Sequence, residues 1–269
     1  MNNYPWRSII KIGSDIAITA RYYNTVHIFS SDNKLKHIIN DRGANASASA
    51  NDTDIISKSS CLCYDEKRNI LFVSDVGKNQ VHMFNNKFTH IRSIGSGGDI
   101  KFNEPYHMTV TDDELVVCDY GGHCLQFFDI ADSKFKRSIT ELSGINFCNP
   151  TGICFDEKKE LLYVADAGNR RICVLDKIGN FIRSFKTNKN SYYYDICLSN
   201  DKQFIFAVDC SNHCVTVIDL NDETNIISHG SFGKGKKEFS DPRGLCLNGN
   251  ELLVCDYGSC RIVRVNIEK

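Results

Sequence analysis

The chain has 269 residues, 42% of them hydrophobic, and a formal net charge of −1. That is enough apolar matter for one large core, and it leaves no global field to draw the protein to nucleic acid or an anionic membrane. No apolar run approaches the roughly 20 residues of a membrane span, and the first ten residues, MNNYPWRSII, lack the features of a secretion signal, so a soluble, cytoplasmic protein without a membrane partner is expected.

From the N-terminus onward, short apolar runs recur, each bounded by turn residues in the manner of β-hairpins. The first is IAITA, ending at Ala20, with Val26 six residues later. LFVSD ends at Asp75, ELVVCD at Asp119, LLYVAD at Asp166, FIFAVD at Asp209 and ELLVCD at Asp256. Six positions after each Asp stands an aliphatic residue: Val81, Leu125, Ile172, Val215 and Ile262. The markers lie 55, 44, 47, 43 and 47 residues apart, room for four short strands and their turns. Such a unit cannot bury both faces of its own sheet, but six set radially cover one another and leave short edges. The expected fold is all-β: a single six-bladed β-propeller domain over residues 1–269, with about four antiparallel strands per blade.

Strands are labelled a to d from the axis outwards. In the unit around Asp166, strand a is 150–155, b is 161–165, c is 172–175 and d is 181–185, with a c–d turn at 177–180. Gly168 and Asn169 are expected to supply the positive φ of the b–c turn. All four prolines, Pro5, Pro105, Pro150 and Pro242, fall at the start of a strand a, where a missing N–H costs no ladder bond. On that alignment Trp6 opens strand a of blade one, and blade six, with three residues after its strand c, lacks strand d. In a competing register residues 6–10 are strand d of blade six, since Arg7-Ser8-Ile9 resembles Arg92-Ser93-Ile94, and blade one lacks strand a. The proline alignment is favoured. Residues 40–57, rich in Ser, Ala, Asn and Asp, read as a mobile loop between blades one and two.

The 13 cysteines follow the repeat: Cys63, Cys154, Cys197 and Cys246 share one position, with Thr109 and Ile9 in the other copies, and Cys118 and Cys255 share another. A disulfide framework has no reason to follow blade register, so they are read as reduced packing residues. Inner strands of separate blades stand too far apart for four thiolates to meet one ion, so no metal and no cofactor is expected. The glycine-rich stretches at 94–98 and 233–236 lack the spacing of a phosphate loop. The marker aspartates are expected to bond turn N–H groups rather than to act as paired acids.

The repeat resembles the NHL family, whose mark is a YVAD-x-GN-x-RI run after a P-x-GI strand. The Asp166 unit carries Asn149-Pro150-Thr151-Gly152-Ile153 and then Tyr163-Val164-Ala165-Asp166-Ala167-Gly168-Asn169-Arg170-Arg171-Ile172. The Asp256 unit carries Pro242-Arg243-Gly244-Leu245, Cys255-Asp256-Tyr257-Gly258 and Arg261-Ile262. The Asp209 unit departs from the pattern, with Asp195 in place of the Gly and no Pro. The resemblance implies that the glycine stretches lie in d–a crossovers, and it admits RNA binding, which NHL propellers of tripartite-motif ubiquitin ligases perform. Some related six-bladed propellers are metal-dependent lyases or lactonases.

In a propeller the d–a crossovers and b–c turns share one face. Here that face would carry Arg7, Arg21, Tyr106, His107, Tyr120, His123, Arg170, Arg171, Tyr194, His213, Arg243, Tyr257 and Arg261, the candidate binding residues. Aromatic and Arg side chains dominate protein-binding hot spots, and they also stack on bases and contact phosphates. Arg171 and Arg261 match the family's own Arg, which would pair locally. Neither Gly-x-Ser-x-Gly nor His-Glu-x-x-His occurs, and no catalytic residue is assigned. The expected function is a non-catalytic, monomeric scaffold that binds protein partners through the b–c/d–a face. The alternatives are single-stranded RNA binding on that face and a lyase- or lactonase-like enzyme.

Overall fold

A computed structural model describes residues 4–40, 55–95, 101–188, 190–222 and 224–267. Six antiparallel sheets follow one another along the chain. Blade one is Trp6–Ile12, Asp15–Ala20, Thr25–Phe29 and Leu35–Ile39. Blade two is Ser59–Asp65, Ile70–Asp75, Gln80–Phe84 and His90–Ile94, and blade three is Pro105–Val110, Glu114–Asp119, Cys124–Asp129 and Phe135–Ile139. Blade four is Pro150–Asp156, Leu161–Asp166, Arg171–Asp176 and Phe181–Lys186. Blade five is Tyr193–Leu198, Phe204–Asp209, Cys214–Asp219 and Ile226–His229, and blade six is Pro242–Asn248, Glu251–Asp256 and Arg261–Asn266. The expected six-bladed propeller is the fold observed.

The strand period of two explains how it holds together. In blade four, Leu162 and Val164 belong to the core shared with blade three, while Tyr163 and Ala165 belong to the core shared with blade five. Each of the six seams has its own apolar cluster built this way. Second strands are therefore buried on both faces, which is why they read as continuous apolar runs rather than alternating ones. Each fully buried Val, Leu or Ile contributes about 1.5–3 kcal/mol of transfer free energy. Outer strands alternate with solvent and carry Lys36, Arg92, Lys136 and Arg183, the charges that discourage edge pairing.

Of the two registers for the ring closure, the proline alignment is the one adopted: Trp6–Ile12 is strand a of blade one, and blade six has three strands. Side chains close the ring, with Trp6, Ile9 and Ile18 packed against Cys246, Leu253 and Cys255. Two small additions lie in d–a crossovers, a hairpin of Glu141–Leu142 with Ile145–Asn146 and a parallel pair of Ser231–Phe232 with Glu238–Phe239. The latter holds Gly233–Gly235 in a crossover, as the resemblance implies. Most of the predicted loop at 40–57, and residues 96–98 of the first glycine stretch, fall outside the described residues. The two ends of that loop are anchored: the Asn40 amide bonds the carbonyls of Asn24 (2.8 Å) and Ile56 (2.9 Å), and Ile56 is fully buried.

The b–c turn differs from expectation. Positive φ falls neither on Gly168 nor on Asn169 but on Arg170 (53°), and on its counterparts Asn24, Asn79, His123, His213 and Cys260. Gly168 is required for proximity instead: a Cβ there would lie 2.6 Å from the Cys148 carbonyl oxygen.

Candidate functional site: the two ends of the axis

Every strand a pairs its first residue with the marker position: Trp6 with Ala20, Ser59 with Asp75, Pro105 with Asp119, Pro150 with Asp166, Tyr193 with Asp209 and Pro242 with Asp256. A β-bulge follows in all six. Bulges re-aim side chains, and here the next two residues of each blade form two stacked rings at the axis. The first ring is Arg7, Ser60, Tyr106, Thr151, Tyr194 and Arg243. The second is Ser8, Cys61, His107, Gly152, Asp195 and Gly244. The glycines are obligatory at this spacing, since a Cβ on Gly152 would lie 2.7 Å from Ile196 N and one on Gly244 2.5 Å from Arg7 O. The same register puts Ile10, not Ile9, level with Cys63, Thr109, Cys154, Cys197 and Cys246.

The first ring closes the axis at the b–c/d–a face. The Arg7 guanidinium is fully buried, lies 5.0 Å from the Tyr106 ring centroid and 5.1 Å from that of Tyr194, and donates a hydrogen bond to the Tyr194 hydroxyl. Its Nε and Nη1 have no hydrogen-bond partner among the described residues. Burial lowers its pKa, against the support of Tyr106, and the neighbouring Arg243 lowers it further. Arg243 lies 5.0 Å from Tyr194 and 4.6 Å from Tyr257, and it is paired to Asp241 at 2.8 Å. Tyr106 stacks on Tyr120 at 4.3 Å, the Tyr120 hydroxyl is 3.2 Å from that of Tyr192, and Tyr257 stacks on Tyr22 at 6.2 Å. Rings from blades one, three, five and six thus form one aromatic–arginine patch.

Of the candidate residues, Arg7, Tyr106, Tyr120, Tyr194, Arg243 and Tyr257 come together in this patch. Arg21 and Arg170 sit on b–c turns, Arg21 half-buried and Arg170 exposed. Arg171 and Arg261 turn inward, to Asp166 at 2.7 Å and Asp256 at 2.9 Å. His123 and His213 fasten one blade to the next: the Nδ1 of each accepts the N–H of Asn149 (3.0 Å) or Asp241 (3.1 Å) in the following crossover. His107 is not on the rim. It lies one layer down, buried in the second ring.

Below the second ring a cavity of about 330 Å³ runs along the axis, lined by all six inner strands. At its blind end His107 Nδ1 lies 3.1 Å from both Cys61 Sγ and Asp195 Oδ1. Asp195 also accepts the N–H groups of Ile196 (2.8 Å) and Leu245 (3.0 Å). Burial opposes the imidazolium, but the Asp195 charge and the Cys61 contact outweigh it and push the His107 pKa up to about 10. Further out the wall is Cys63, Cys154, Cys197, Cys246 and Thr109, and the lining ends at Lys11 and Lys202, on the a–b side. The residues of that end are mostly half-buried and Lys11 is exposed, whereas Ser8, Cys61, His107 and Asp195 are buried. The cavity is therefore a funnel that opens on the a–b face. Burial pushes the thiol of Cys246 up to about 12 and those of Cys63, Cys154 and Cys197 higher still. No group of three or more His, Cys, Asp or Glu among the described residues is placed to hold a metal ion.

A family model for the NHL repeat matches residues 147–175 and 239–264. Those segments are parts of blades four and six, and the same hairpin geometry recurs in the other four blades. The chain is a six-bladed propeller that carries NHL repeats. A chicken (Gallus gallus) protein named NHL repeat-containing protein 2 is 31% identical to this NHL propeller over 176 residues, 54% of this chain and 23% of that one. Its bovine (Bos taurus) counterpart is 30% identical over 122 residues, 39% of this chain and 16% of that one. The matches thus span less than a quarter of those relatives. Among solved structures, the NHL propeller superposes on virginiamycin B lyase from Staphylococcus aureus with a TM-score of 0.67 and 14% identity, covering 96% of this chain and 94% of that one. A streptogramin B lyase structure gives a TM-score of 0.68 at 11% identity, covering 100% and 95%. At such identities the likeness is one of fold.

The NHL propeller also holds functional candidates that repeat reasoning passed over. Tyr192 joins the patch, and Ser8, Cys61 and Asp195 join His107 at the funnel floor. The signal for the floor lay in the slot after P-x: where the repeat has Gly, three blades carry Cys61, His107 and Asp195.

Proposed function

We propose that this NHL propeller is a non-catalytic scaffold that binds protein partners through its b–c/d–a face. One observation carries the reading: the face gathers tyrosines and arginines from four blades into one patch whose cations are already engaged. Within the patch Arg243 is paired with Asp241 and Arg7 is buried; outside it, Arg171 and Arg261 are paired with Asp166 and Asp256. Rigid aromatic rings with a semi-buried Arg are the anatomy of a protein hot spot. Single-stranded RNA needs free cations along a groove beside the stacking rings, and a steep salt dependence follows from them.

Two measurements test this. A filter-binding titration with a single-stranded poly(U) 20-mer at 50 and 200 mM salt should give no submicromolar binding at either. Affinity capture with the wild type, with Arg243→Ala/Tyr257→Ala, and with Ile178→Ala on the exposed c–d turn should yield a protein retained by the first and third and lost from the second. Tight, salt-sensitive RNA binding abolished by Arg243→Ala would put the RNA reading in its place.

A further inference from the structure

We propose that the axial funnel is a covalent capture site for small α,β-unsaturated carbonyl electrophiles, with Cys61 as the reacting thiol. The funnel opens on the face opposite the partner patch, so the inference does not depend on that patch being used.

Five of the 13 cysteines line the funnel, at a volume of about 330 Å³. Between the charged floor and the lysines of the mouth, the wall is thiols, aliphatic residues, Tyr64, Phe155 and one Thr, which suits a small, soft, uncharged molecule. Four of those thiols are held protonated by their surroundings: burial is the largest cause pushing each upward, and nearby carboxylates add to it. Cys61 differs in its neighbours. Its sulfur lies 3.1 Å from Nδ1 of His107, the one histidine of the lining. His107 is held as a cation by Asp195, so a positive charge lies against the sulfur where negative charge builds during nucleophilic attack. The remaining contacts of the sulfur are weak: 3.3 Å to the Leu62 carbonyl oxygen and 3.7 Å to the Ser8 hydroxyl. Asp195 and Cys61 share one ring nitrogen, so this is not a relay in which carboxylate and nucleophile take opposite nitrogens. It is a cation set between a carboxylate and a sulfur. That suits a stoichiometric addition, which needs a nucleophile and no turnover.

The step balances without a co-reactant. The S–Cβ bond forms as the C=C π bond breaks, the proton of the thiol ends on Cα, and the His107–Asp195 ion pair is unchanged. The adduct occupies the funnel floor with its carbonyl towards the mouth, where Lys11 and Lys202 stand.

The probe is N-ethylmaleimide, applied briefly below stoichiometry, with peptide mass mapping of every cysteine. Cys148 and Cys260, half-buried and outside the funnel, serve as references. The expected result is a first adduct at Cys61, ahead of Cys148 and Cys260 and at least tenfold faster than at Cys63, Cys154, Cys197 or Cys246. His107→Gln should slow Cys61 at least tenfold and leave Cys148 and Cys260 unchanged. Labelling that follows exposure alone, with Cys148 and Cys260 first and Cys61 among the slow wall thiols, would overturn the proposal, as would a Cys61 rate indifferent to His107→Gln. Should that variant not fold by circular dichroism, Cys61→Ser decides: the first adduct must vanish from the intact mass, and its persistence counts against the site.

Discussion

The marker aspartate shows how one residue type reaches different electrostatic states inside a single repeat. In blade four Asp166 accepts the Cys148 N–H (2.8 Å), the Asn169 amide (2.8 Å) and the Arg171 guanidinium (2.7 Å), so one buried carboxylate ties the d–a crossover, the b–c turn and strand c together. Asp166→Ala strands the buried Arg171 charge and should cost about 3 kcal/mol or more in urea unfolding; a loss below about 1 kcal/mol would show the tie to be dispensable. Asp75 keeps its charge differently. Burial pushes its pKa up, but His82 and the N–H groups of Ser57, Lys58 and Gly77 prevail and it ends lowered. Asp119 has Gln126 and Cys124 where Asp166 and Asp256 have an arginine, and burial prevails, raising it to about 6 against bonds from Asn103 and Gln126. Folded Asp119 therefore binds its proton more tightly than the unfolded chain does. Between about pH 4 and 6 its contribution to stability falls as pH rises. Asp119→Asn should remove that component, so the difference in stability between variant and wild type should move in the variant's favour across this window. A difference flat with pH would contradict the raised pKa.

At the scale of strands, the hairpins were legible because their turn chemistry and apolar runs are local. The bulge in each strand a was not, because no bulge residue is shared by six blades. Trp6, Ser59, Pro105, Pro150, Tyr193 and Pro242 open their strands alike, and register comes from pairing with the marker. The same packing explains the turn correction: Gly168 meets the Cys148 backbone, a contact invisible in turn preferences, while Arg170 bears the left-handed conformation. The inner-strand glycines carry a sharper consequence. Gly244 sits at the closing seam, where blade six meets the Arg7–Ser8 backbone of blade one. Gly244→Ala should therefore destabilise by about 1–3 kcal/mol through overpacking, read as a lowered melting temperature. Gly249→Ala faces open space but has φ of 63°, so it tests strain without crowding and should cost less.

At the scale of the molecule, the propeller has a plugged end and an open end. The plug contains a fully buried arginine with two nitrogens unpartnered among the described residues, a costly arrangement that a fold selected for stability alone would not need. Arg7→Met, of similar length and without charge, should leave thermal stability equal to or above wild type. A loss of more than about 2 kcal/mol would mean that the stacked guanidinium stabilises the ring closure by itself. Among the described residues no helix is long and apolar enough to cross a membrane.

Blade number, strand order, the inward pairing of Arg171 and Arg261 and the role of the marker aspartates were all written in the chain, because each depends on residues within one repeat. What the tertiary structure alone decided is who meets at the axis. Cys61, His107 and Asp195 come from three blades, with Cys61 and Asp195 134 positions apart in the sequence, and the tyrosines of the patch from four. Residues that close a ring touch through space, not along the chain, and a period of some 45 residues says where each unit lies but not which side chains reach the centre.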